Sequence, residues 1–183
     1  VLAVVLTGGN SSSGKQQSVP AVGSLANALP GASDVAALFM NVPQRGTTLG
    51  AAKAPVTMVE YIDLQCPACQ QFETKVLPDV VRKYVRPGKL RIVMQPWAFI
   101  GPDSTRGQSA VLAAALQNRA FNLAELLYDN QGTENTGWLD DRMASAAASS
   151  VPGLKVPKLL ADMDSSQVSA AAKKVDADAK ANH

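Results

Sequence analysis

The only two cysteines of the 183-residue chain, Cys66 and Cys69, stand in the stretch QCPACQQF with Pro67 and Ala68 between them. Two thiols at this spacing suit half of a metal site, a structural staple or a reactive pair. A zinc site needs a fuller ligand set than the chain supplies, because its single histidine is the terminal His183. Gln70 stands where the C-x-x-C-H haem attachment pattern needs histidine. A bond across so short a loop restrains the unfolded chain little, which weakens the staple reading. The reactive reading accounts for more of the local sequence. Cys66 falls where an apolar, strand-like run gives way to a helix, so its sulfur is expected near helix N–H groups and a dipole that favour thiolate. The expected point of attack is then Cys66, with Cys69, one turn further on and less exposed, resolving the mixed disulfide. Pro67 suits a first helical turn, where no N–H is needed.

A second ionisable group, Glu60, precedes the pair within the same run, amid Val59, Tyr61 and Ile62. Turned to solvent, it is an ordinary edge-strand carboxylate, since acids are rarely buried. Turned inward, it is a buried acid beneath the dithiol that relays protons to and from Cys69, and burial raises its pKa.

The elements that must position these groups follow from periodicity. VTMVEYIDL, Val56 to Leu64, is β-branched and apolar almost throughout, which predicts a strand buried on both faces. After the cysteines, Phe72, Val76, Leu77, Val80, Val81 and Tyr84 recur at helical spacing, with Glu73, Lys75, Asp79, Arg82 and Lys83 on the other face. Pro78 should kink that helix, and RPGK at Arg86 to Lys89 should end it. KLRIVMQ alternates and predicts a second strand, completing a strand-helix-strand unit. Ahead of this unit, Asp34 to Met40 reads as a short helix capped by Ser33 or Asp34, and PQRGTTLGAAKAP reads as turns. From Ser104 onward the composition is helical, in several Ala- and Leu-rich segments. The last has Val168, Ala171, Ala172, Val175 and Ala179 on one stripe and Ser165 or Ser166 as cap.

Length and charge limit the remaining possibilities. A chain of 183 residues with 46% hydrophobic content can bury one core of ordinary size. Its 17 basic and 15 acidic residues are scattered, with no basic run to track a phosphate backbone, so nucleic acid is not an expected partner. The opening VLAVVL is too short to span a bilayer and reads as the end of a signal peptide or N-terminal anchor, followed by a Ser/Gly/Gln-rich tether. Within that tether, Gly9 to Lys15 fits G-x-x-x-x-G-K. Gln16 replaces the required Ser or Thr, and Pro20 and Gly23 oppose the helix that should follow, so the segment reads as linker.

The stretch APVTMVEYIDLQCPACQQFETKVLPDVVRKYVRPGKLRIVMQPWAFIGPDS resembles the DsbA-like thiol-disulfide oxidoreductases, in particular the secreted or membrane-tethered forms of Gram-positive bacteria. AFIGPDS and LLYDNQGTENTGWL are similar to family segments beyond the active site, and the resemblance runs from about residue 45 to 183. It implies an α/β, thioredoxin-like fold with an inserted helical subdomain. The expected division is residues 1–44 as anchor remnant, linker and short helix, 45–103 as the thioredoxin-like unit, and 104–183 as the helical insertion. Carried over by position, Cys66 is the nucleophile, Cys69 the resolving thiol and Glu60 the buried acid. Pro67 and Ala68 form the dipeptide that tunes redox potential, and Ala68 cannot hydrogen-bond to the thiolate as the histidine of strongly oxidising relatives does. The implied activity is extracytoplasmic disulfide formation or exchange, on unfolded or reduced secreted proteins, by a monomer recharged by a membrane quinone-linked partner. No cofactor or metal is implied. The competing function is a redox-inactive binding module on the same scaffold, its cysteines closed as a structural disulfide.

Beyond the helical insertion the family continues into a Thr-Pro turn with a cis-proline facing the dithiol, then two antiparallel strands and a last helix. The printed sequence ends at DAKANH, where that segment is expected to begin, so C-terminal strands are expected to be missing. The sheet is then expected to have an exposed edge and one uncovered face.

Overall fold

The computed structural model describes residues 19–182. The VLAVVL segment, the tether with its G-x-x-x-x-G-K pattern, and His183 lie outside those residues. None of the described helices is long and apolar enough to cross a membrane.

The strand-helix-strand unit forms as expected. Strand β3 (Val56–Ile62) pairs in parallel with β4 (Leu90–Pro96), with Glu60 opposite Met94. Two short strands precede them: β1 (Gln44–Arg45) and β2 (Thr48–Leu49), where turns alone were expected. They form an antiparallel hairpin, and β2 pairs antiparallel with β4, giving a mixed four-stranded sheet of order β1-β2-β4-β3. Strands of two residues carry no periodic signal, which is why the sequence hid them.

This order leaves β3 at an edge of the described sheet. Its apolar run predicted burial on both faces, yet Val56 and Val59 are 55% and 50% exposed. Only its Met58, Glu60 and Ile62 positions turn toward the interior beside buried Ile92 and Met94 of β4, as the period of a strand requires.

The crossover from β3 to β4 runs through α2 (Pro67–Lys75), α3 (Leu77–Val80) and a π-helical turn (Val81–Val85). Pro78 lies in the first turn of α3, where its missing N–H costs nothing, so the helix breaks at Val76 rather than bending gently. The π turn, closed by the Arg86 N–H donating to the Val81 carbonyl at 2.8 Å, shifts the helix face. Val81 and Val85 are therefore buried, whereas Tyr84 and Val76, expected on the apolar face, are exposed. Glu73, expected on the polar face, is 1% exposed.

Helix α1 (Ala32–Phe39) begins two residues before Asp34, with Gly31 at its N-cap in the left-handed region (φ 84°). Neither Ser33 nor Asp34 caps it. Gly31 also faces Asp129, whose carboxylate oxygen would lie 2.2 Å from an added Cβ. The helical region comprises α4 (Pro102–Ala115), α5 (Ala120–Asp129), α6 (Asp141–Ser149), α7 (Val156–Met163) and α8 (Ser166–Asn182). Helices α4 and α8 pack against β4, and Phe39 of α1 meets Phe121 of α5 edge-on, ring centres 6.0 Å apart. Ser165 caps α8 through Val168 N–H, and of the expected stripe Val168, Val175 and Ala179 are buried while Ala171 and Ala172 are half-buried.

Candidate active site

The corner between β3 and α2 is built from backbone groups that need partners and find them at long range. Buried Asp63 accepts hydrogen bonds from the N–H groups of Gln65 (2.9 Å), Phe99 (2.8 Å) and Ile100 (3.0 Å). Its carbonyl accepts from Cys66 N–H at 2.9 Å and from the Tyr128 hydroxyl at 3.0 Å. The Gln131 amide donates to the carbonyls of Leu64 (2.8 Å) and Cys66 (3.3 Å). Buried Gln65 donates to Ser104 Oγ at 2.8 Å and accepts from Asn135 N–H at 2.7 Å. Residues 128 to 135 of the helical region thus clamp the corner that carries Cys66.

Cys66 is the N-cap of α2, in extended conformation (φ −71°, ψ 118°), and its Sγ accepts a hydrogen bond from Cys69 N–H at 3.4 Å. That places the sulfur where the orphan N–H groups and positive end of the helix dipole act on it. Pro67 and Ala68 lie exposed between the thiols. Both cysteines are free and half-buried, and Cys69 packs against the core.

Burial pushes the Cys69 thiol up to about 12. A hydrogen bond from the Asp63 backbone opposes that rise, while the thiol contact with Cys66 and the charges of Cys66 and Glu73 add to it.

Both carboxyl oxygens of Glu60 are buried without a hydrogen-bond partner, and burial raises its pKa to about 7. The strand therefore turns this acid inward, the second of the orientations considered from sequence. The carboxyl whose charge acts on Cys69, however, is that of Glu73. Glu73 stands four residues after Cys69, on the same helix face. Its own pKa is raised well above the ordinary value, first by burial and then by Glu60 and Glu125. Glu125 of α5, 4% exposed, is raised to about 9 by burial, by Asp129 and by Glu60.

Sequence reasoning singled out Cys66, Cys69, Pro67, Ala68 and Glu60 as candidates; it did not single out the buried acids Glu73 and Glu125 or the clamp residues Tyr128, Gln131 and Asn135. The i, i+4 spacing of Cys69 and Glu73 was a usable signal. Glu125 sits in the apolar run LAELL, where an isolated acid also points to burial.

A strand ending at a thiol on a helix N-cap, with a parallel strand beyond the crossover, defines a thioredoxin-like protein. The family model described as Thioredoxin matches residues 43–183, and the chain belongs to that family. Among curated relatives, the Probable disulfide bond formation protein D of Bacillus cereus is 30% identical over 124 residues, covering 66% of this chain and 57% of that protein. The chain therefore spans little more than half of that relative's length. The crystal structure of oxidised BdbD from Bacillus subtilis superposes with a TM-score of 0.65 at 21% identity, over 73% of this chain and 76% of that one. That of Chlamydia trachomatis DsbA gives 0.64 at 19% identity, over 71% of each. At these identities the likeness is one of fold: a thioredoxin-like α/β sheet with an inserted helical region.

Proposed function

We propose that the chain is a thiol-disulfide oxidoreductase in which Cys66 exchanges with substrate and Cys69 resolves. The carrying observation is the Cys66 sulfur at the α2 N-cap, held by Cys69 N–H at 3.4 Å, beside a core-packed second thiol. The Bacillus relative named as a disulfide bond formation protein supports the same chemistry.

In the oxidising direction a substrate thiolate attacks Cys66 Sγ and the Cys66–Cys69 bond breaks. Cys69 leaves with the electron pair and takes up a proton. A second substrate thiolate then attacks the substrate sulfur of the mixed disulfide, its own S–S bond forms, and Cys66 leaves. The substrate dithiol is oxidised by two electrons and the protein dithiol is reduced by two. Glu60, poised near neutral pH, is the acid that supplies or accepts the Cys69 proton. Pro67 and Ala68 face solvent at the point of attack and set the potential; Ala68 offers the sulfur no hydrogen bond, so the pair is a weaker oxidant than one with histidine there.

The substrates are unfolded or reduced secreted proteins, met in an extracytoplasmic space by a monomer. A membrane quinone-linked partner returns the dithiol to the disulfide. Equilibration with glutathione redox buffers tests the reading. The expected result is reversible exchange, with the pair more oxidising than thioredoxin. A potential in the thioredoxin range rejects the oxidising direction. A pair that never exchanges rejects the enzyme and favours the binding module with a closed disulfide.

A further inference from the structure

The residues that turn from β3 into α2, Asp63 to Cys66, lie after the last strand residue, Ile62, and before the first helical residue, Pro67. Their carbonyls have no ladder to join, and each needs a partner of its own. The Cys66 carbonyl takes the first bond of the helix, from Gln70 N–H at 3.0 Å. The Leu64 carbonyl, on a residue 1% exposed, accepts from no backbone N–H among the described residues. Its partner is the side-chain amide of Gln131 at 2.8 Å, and the same Nε2 lies 3.3 Å from the Cys66 carbonyl. An amide nitrogen carries two donors, so one side chain holds both carbonyls, on either side of Gln65.

Gln131 is itself fixed. Its N–H donates to the Tyr128 carbonyl at 3.2 Å, just past the end of α5. The same carbonyl accepts the Gln70 side chain of α2 at 2.8 Å, and the Tyr128 hydroxyl donates to the Asp63 carbonyl at 3.0 Å. The amide therefore reaches the corner from a segment tied both to α2 and to the strand end, the rigid support that an orienting group needs.

Backbone geometry decides what these bonds restrain. Rotation about ψ of Cys66 swings its carbonyl, and α2 with it, relative to its own sulfur. At the observed ψ of 118° the sulfur meets Cys69 N–H at 3.4 Å. Pro67 holds Cys66 in the extended region but leaves a range of about 40° in ψ. An anchored carbonyl narrows that range.

We propose that Gln131 is a positioning residue for the nucleophile: by holding the Leu64 and Cys66 carbonyls it keeps the Cys66 sulfur on the N–H groups of α2 and so sustains its thiolate. The proposal rests on the reading that Cys66 exchanges with substrate. Gln131 acts through the backbone carbonyls, not through the sulfur. A better-held thiolate favours the reduced form, which makes the pair more oxidising. The titratable neighbours of Cys66 include Cys69 from α2, Asp63 at the strand end and Tyr128 from α5. Substitution at position 131 changes none of them.

The test compares the full chain with Gln131→Met, which is similar in length but has no donor. One readout is the pH profile of Cys66 alkylation by iodoacetamide in the reduced chain, assigned by peptide mapping; the other is the equilibrium of the dithiol with glutathione. The profile is expected to move to higher pH, with the rate near pH 6 down about tenfold, and the equilibrium to move about tenfold toward the disulfide. Gln131→Ala leaves room for water at the Leu64 carbonyl and carries the test, with the same expectation, if Gln131→Met does not fold. Asn130→Ala removes bonds from the same helix end to the Pro30 and Leu126 carbonyls, away from the corner. It is expected to lower the urea midpoint and to leave the Cys66 profile in place. An unchanged profile and equilibrium in a folded Gln131 variant, or an equal shift in Asn130→Ala, overturns the positioning role and leaves the oxidoreductase reading intact. A parent chain whose Cys66 neither alkylates nor exchanges with glutathione overturns both.

Discussion

The Cys66 sulfur is held by a helix N–H while burial pushes the Cys69 thiol up to about 12, so the two thiols are chemically unequal before any substrate arrives. On the proposed cycle this inequality fixes the order of events. Cys66→Ser is expected to abolish exchange with glutathione and with reduced protein substrates. Cys69→Ser is expected to retain attack at Cys66 but to accumulate mixed disulfides, visible as a mass increase of one adduct per chain. Equal loss in both variants without an adduct in the second would remove the assignment of roles. The pair and Glu60 were legible in QCPACQQF and its preceding strand because strand-to-helix corners leave a local pattern. Glu73 was not: it lies in the charged run FETK, and only the break at Pro78 and the π turn decide which face of the crossover is inside.

At the scale of elements, the site corner depends on α4 and α5 as much as on its own strand. The clamp bonds from Tyr128, Gln131 and Asn135 join residues some 65 to 70 positions away, so no sequence window contained them. Helix α4 approaches closely through Gly107, where an added Cβ would lie 2.4 Å from Leu139 Cδ2 and 3.0 Å from Leu64 Cβ. Gly107→Ala is expected to destabilise the fold by about 1–3 kcal/mol through overpacking, measured as a lower urea midpoint at unchanged slope. A midpoint equal to that of the parent chain would show that α4 does not brace the corner. The strands β3 and β4 and the presence of helix between and after them were readable from period, whereas the break at Val76, the π turn and the short β1–β2 hairpin were not.

For the molecule as a whole, the buried carboxyls set a pH dependence of definite sign. Glu60 is raised from the ordinary 4.5 to about 7 and Glu125 to about 9. Between those limits the folded chain binds more protons than the unfolded chain, so stability is full below about pH 4.5 for these groups and declines as pH rises toward 9. The contribution of Glu60 alone is about 3 kcal/mol at the shift given. A melting temperature clearly higher at pH 5 than at pH 9 is expected for the reduced chain, and a flat or rising profile would mean that these acids are solvated in the folded protein. The sheet adds a separate feature: β3 is an edge strand of the described sheet, open to further strand pairing, and exposes Val56 and Val59.

The central claim, that the cysteines form an unequal reactive pair, is tested most directly by brief alkylation of the reduced chain at mildly acidic pH, followed by peptide mapping. The account expects label at Cys66 and almost none at Cys69, whose burial holds its thiol near 12. Equal labelling of both cysteines, or none at either, would contradict it.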